Sequence, residues 1–65
     1  MDLRAMDIVR EAATGDMFAV VAIVQHNDDG TAYAHVGRLD GQGGPLVLFR
    51  ITDKGDDGFV GEAAR

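Results

Sequence analysis

The longest apolar run in this chain is Met17 to Gln25, Met-Phe-Ala-Val-Val-Ala-Ile-Val-Gln. It is rich in β-branched residues and bounded by Gly15-Asp16 before it and Asn27-Asp28-Asp29-Gly30 after it. A short run of this kind reads as a strand covered on both faces. A second apolar block, Leu46-Val47-Leu48-Phe49-Arg50-Ile51, follows the glycine-rich stretch at 40–44 and Pro45. Between the two blocks, residues 32–39 read as a strand weakened by Gly37. The pattern therefore predicts strands over 17–27, 32–39 and 46–52, with Phe59-Val60 as an optional short fourth strand at 59–61.

The N-terminal segment carries a different period. On a helical wheel, Ala5, Met6, Ile8, Val9, Ala12 and Ala13 share one broad arc, and Arg4, Asp7, Arg10 and Glu11 fill the opposite side. Leu3 falls among the polar residues. With Asp2 as N-cap and Thr14-Gly15 as a stop, the pattern predicts an amphipathic helix over 2–13. The expected fold is α+β: a single small domain, 1–65, with one N-terminal helix on a three-stranded, optionally four-stranded, antiparallel meander.

Turn chemistry then suggests a register. If Asp29-Gly30 is a two-residue hairpin loop, His26 faces Tyr33 and Val24 faces His35. If 41–44 form the next loop, Val36 faces Phe49. Alternation assigns Val21, Ile23, Ala34, Val36, Val47, Phe49 and Ile51 to the face under the helix. Phe18, Val20, Ala22, Val24, Leu39, Leu46 and Leu48 take the other face, which is too apolar to leave in water on a monomer. We therefore expect a homodimer joined through Phe18, Val20, Val24, Leu39, Leu46 and Leu48. Size supports this expectation. Sixty-five residues bury little surface, and the absence of cysteine removes disulfides and thiolate zinc as staples.

Charge adds a direction. The chain has 11 acidic against 6 basic residues, which disfavours direct nucleic-acid binding and suits a basic protein partner. The expected topology brings Asp28, Asp29, Asp53, Asp56 and Asp57 to one end of the sheet, and these are the candidate partner-binding residues. Turn formation alone also accounts for Asp at those positions. Asp53-Lys54-Gly55-Asp56-Asp57-Gly58 partly resembles the start of an EF-hand calcium loop, but a glycine stands at the third ligand position and Ala64 replaces the closing glutamate. His26, Tyr33 and His35 fall together on one face and form the candidate ligand or metal group.

No nucleophile-base-acid arrangement is legible, and no cofactor motif is present, so neither an enzyme nor a bound cofactor is expected. The run at 17–25 is about half of the ~20 residues a membrane helix requires. No basic-then-apolar leader follows Met1. The expectation is a cytoplasmic protein that touches no membrane. The reading that unites these features is a small acidic inhibitor or regulator, of the type a phage or mobile element encodes, acting by occupying a partner protein's surface. The alternative is a ligand- or metal-binding homodimer using His26, Tyr33 and His35.

Overall fold

The structure, a computed structural model, describes residues 2–41, 44–55 and 58–64. The described residues contain no helix. Five strands, β1 (Ile8–Glu11), β2 (Met17–His26), β3 (Ala32–Arg38), β4 (Val47–Gly55) and β5 (Gly58–Ala63), close into a barrel in chain order. The α+β expectation is therefore corrected: the protein is all-β.

Closure follows from strand count. In an up-and-down meander of five strands the first and last point the same way. The seam is accordingly parallel, with Val9 opposite Phe59 and Arg10 opposite Val60, while every other pair is antiparallel. Closing the sheet pairs the two strands that would be open edges in a flat meander, and leaves uncovered the part of β2 beyond the reach of the short β1.

The segment read as a helix becomes β1 and its approaches. Met6 takes a left-handed φ of 76° within a turn, and Met6 N and Val20 N donate to Val20 O and Asp7 O, both at 2.8 Å. Three of the six residues that a helix here would have presented to the sheet are alanine. As a strand the segment buries Val9 completely between β2 and β5, and Leu3 is only 4% exposed. Leu3, the residue that did not fit the wheel, belongs to the core. Of the residues of the apolar arc other than Val9, Ala5, Met6, Ala12 and Ala13 lie exposed and Ile8 is half-buried. A lone helix of this length is marginal in water, so tertiary pairing decides the outcome.

The core comprises Leu3, Val9, Phe18, Val20, Ala32, Ala34, Val36, Phe49, Ile51 and Phe59, with Ile23 and Val47 packed against it. Small residues on β3 and β5 (Ala32, Ala34, Gly61) make room for Phe18, Phe49 and Ile51 in a narrow interior.

Two corrections to register explain which side chains turn inward. The loop after β2 has three residues: Asn27 N donates to Thr31 O at 2.8 Å, Gly30 N donates to Asn27 O at 3.2 Å, and Gly30 has a φ of 89°. His26 consequently faces Ala32, and Tyr33 faces Gln25. Irregularities in the ladder between Val20 and Ala22, and again between Ile23 and Gln25, place an extra residue on β2 at each point. Such bulges bend a strand and re-aim its side chains. Phe18 and Val20 point into the barrel, and Val21 and Val24 point out of it. On the other side of β3, Val36 faces Val47 rather than Phe49. That slip is of even parity, so it leaves the inward set of β4 unchanged.

Candidate functional site

Among the described residues, five of the seven exposed large apolar side chains stand on or beside the outer surface of β2, β3 and β4. Pairing places Ala22, His35 and Leu48 in one row and Gln25, Tyr33 and Arg50 in the next. Val21, Val24, Leu39 and Leu46 are 50%, 56%, 50% and 50% exposed, and Leu48 is 37% exposed. Val21 and Leu46 approach each other across Gly37. A Cβ built on that glycine would lie 3.4 Å from Leu46 Cδ2 and 4.0 Å from Val21 Cγ2.

Of the residues expected to form a dimer face, Val24, Leu39, Leu46 and Leu48 therefore share this exterior. Phe18 and Val20 do not: they are 3% and 0% exposed, inside the barrel. Val21 is the member that alternation misses, because the bulge that turns it outward leaves no mark in the sequence.

Tyr33 and His35 stand on the outer face of β3. His26 lies at the far end of β2, opposite Ala32, so the expected pairing of His26 with Tyr33 is replaced. Among the described residues, no three His, Cys, Asp or Glu side chains come together in a way that could hold a metal ion.

Around this face the arginines are spent on carboxylates. The Arg50 guanidinium lies 3.9 Å from Asp29 and 3.4 Å from Glu62. The Arg38 guanidinium lies 3.3 Å from Asp16 and 3.1 Å from Asp40. Each cation faces two anions, so both ends keep residual negative charge.

The structure brings part of the acidic end together. Asp2, Gly30, Thr52, Asp53, Lys54 and Phe59 line one recess of about 250 Å³, and Asp28 and Asp29 occupy the adjoining loop. Asp56 and Asp57 fall outside the described residues; of the EF-hand-like stretch, Asp53, Lys54 and Gly55 end β4 and Gly58 opens β5 opposite Gly55. Asp29 also shapes its own loop. Its carboxylate accepts from Thr31 N at 3.0 Å and from Thr31 Oγ1 at 2.6 Å. The Thr31 hydroxyl, then the Thr31 amide, and Arg50 beyond them hold this carboxyl below its ordinary value. Hydrogen bonding from Arg38, reinforced by its charge, does the same for Asp40.

These shifts carry a testable sign. A carboxylate whose folded pKa is lowered adds stability that is present above its unfolded pKa and lost as the pH falls through the folded one. Melting temperature should therefore decline below about pH 4, the ordinary carboxylate range. In the Asp29→Asn, Asp40→Asn double variant the decline should be shallower. Parallel acid limbs in thermal melts of the two proteins would contradict this assignment.

No protein-family model, no curated protein and no solved structure matches this chain. The functional reading consequently rests on its own geometry. In the described residues there is no helix long and apolar enough to cross a membrane.

Proposed function

We propose that this chain is a small acidic protein-binding module, an inhibitor or regulator that acts by covering part of a partner protein's surface. The observation that carries the proposal is the outward aim of Val21 and Val24. Two bulges in one ten-residue strand interrupt its ladder and place these valines on the face of Leu46 and Leu48. The barrel core is complete without them. Bulges of this kind commonly serve to re-aim side chains at working surfaces, and an exposed apolar patch of this sort is a common mark of a binding surface. The surplus carboxylates around Arg38 and Arg50 favour a partner whose apolar contact is rimmed by Lys or Arg, since complementary rims steer association. They also oppose self-association, because a second copy would bring the same negative rim.

The test uses a double variant, Val24→Asp, Leu46→Asp. Both positions are half exposed, so its melting temperature should stay within a few degrees of the parent. Affinity capture from lysate of the source cells should retain a protein on the immobilised parent and release it with added salt. The variant should not retain it. An identical captured set from both proteins would overturn the proposal. Sedimentation of the chain alone separates the rival occupant: a parent dimer that the double variant converts to monomer would assign this face to a second copy.

A further inference from the structure

Beyond the outer face, the end of the barrel where Arg38 sits has a recess of about 300 Å³. Beneath it lies the buried Phe18–Phe49 pair of the core, 3% and 1% exposed, with ring centroids 4.7 Å apart and planes tilted by 54°. Val47, Pro45 and Ala63 form apolar walls. The mouth adjoins Leu46 in the chain, so the recess opens beside the apolar face.

We infer that this recess takes one bulky apolar side chain, phenylalanine or leucine in type, from a partner segment in which basic residues flank it. The inference rests on the protein-binding reading and names the partner's anchor. Three features select this occupant. The volume lies at the lower limit of the ~300–1,000 Å³ typical of ligand pockets, enough for a single side chain and too small for a cofactor. The walls, Pro45, Val47 and Ala63, are apolar and reachable, which favours an aliphatic or aromatic group over a polar one. Among the described residues, one cation and three anions stand at or beside the mouth. The Arg38 guanidinium stacks 5.4 Å over the Phe18 ring and is held by Asp16 and Asp40, while Glu11 lines the opposite lip. Basic flanking residues match that surplus, and acidic ones meet repulsion.

The experiment is a titration of the intact, isotopically labelled chain, followed by amide and methyl NMR shifts. The probes are three capped tripeptides: Lys-Phe-Lys, Lys-Ala-Lys and Glu-Phe-Glu. With Lys-Phe-Lys, shifts should concentrate on Phe18, Val47, Phe49 and Ala63 and saturate in the millimolar range. Lys-Ala-Lys and Glu-Phe-Glu should each bind at least about tenfold more weakly. The Ala63→Leu variant fills the recess from an exposed position and should abolish the shifts while melting close to the parent. Val24→Asp, on the outer face six residues along β2 from Phe18, should bind Lys-Phe-Lys as the parent does, which separates failure of the recess from failure of the face. Equal binding of Glu-Phe-Glu would overturn the charged mouth. Shifts that spread over the outer face, or survive Ala63→Leu, would overturn the recess itself.

Discussion

Phe49→Ala should destabilise the protein by about 3–5 kcal/mol. For a chain of this length that is a large part of the total stability, roughly 3–10 kcal/mol. Phe49 is 1% exposed and lies against the Phe18 ring at the centre of the core. Its removal leaves a cavity that β3 cannot fill, because the residues opposite are Ala34 and its small neighbours. Leu48, the preceding residue on β4, points outward and is 37% exposed, so Leu48→Ala should cost about 1 kcal/mol or less. Urea denaturation of the two variants gives the contrast directly. Similar losses for both would mean that the inward and outward sets of β4 are misassigned. A Phe18–Phe49 double-mutant cycle should return about 0.5–1.5 kcal/mol of coupling beyond area burial.

That contrast marks how far the strands can be read from sequence. The runs at 17–27, 32–39 and 46–52 overlie β2, β3 and β4, since β-branched content and turn residues are local signals. The inward set of β4 (Phe49, Ile51) survives the register error after β3 because that error is even. The inward set of β2 survives only at Ile23, while Val21 turns out and Phe18 and Val20 turn in, because its loop has three residues instead of two and its ladder carries two bulges. Both features depend on how the sheet curves, and nothing at Val21 or Val24 announces them. This is also why alternation groups Phe18 and Val20 with the exterior leucines. The N-terminal helix fails for a related reason. Half of its amphipathic arc is alanine, which favours a helix but offers little apolar surface to bury, and the demand for a fifth strand comes from the seam with β5. Leu3 is the local warning, an apolar residue on the polar side of the wheel that the barrel buries.

The candidate surface shows the same division. Leu39, Leu46, Leu48 and Val24 are legible as apolar residues without a place in one core face. The balance of charge around them is not, since it depends on Arg38 reaching Asp16 beside another strand and Arg50 reaching Glu62 across β4 and β5. Bulges at Val21 and Val24 also interrupt the part of β2 that β1 does not cover. β1 pairs only with Met17, Phe18 and Ala19, and a bulged strand makes a poor template for another strand. Association through side chains on the outer face is thereby favoured over strand addition at that edge.

Gly61→Val should be as damaging as any single change, because Gly61 sits where the barrel closes. It faces Ile51 across the antiparallel pair and Glu11 across the parallel seam, and its carbonyl accepts from Ala12 N at 3.0 Å. A Cβ at this position would stand 3.0 Å from Ile51 Cδ1, 3.1 Å from Arg50 O and 3.2 Å from Val9 Cγ1. The tip of Ile51 can swing away. The Arg50 carbonyl is fixed in the β4 backbone, and Val9 is fully buried. Alanine alone should cost about 1–3 kcal/mol as an overpacked core residue, less the ~0.4–1 kcal/mol that it gains by restricting the unfolded chain. Valine adds two methyl groups in the same space and should part the β1–β5 seam. Two further variants isolate the cause. Gly37→Ala, on the outer face, meets only ordinary contact and should change stability by about 0.5 kcal/mol or less. Ile51→Val added to Gly61→Ala relieves one of the three contacts and should restore only part of the loss, because the carbonyl remains. Hydrogen exchange at Val9, Arg10 and Val60 amides reads the seam itself: it should quicken in Gly61→Ala more than exchange in β3 does. Uniform quickening across all strands would show that closure is no weaker than the rest of the sheet. A Gly61→Ala variant as stable as the parent would refute the tight seam.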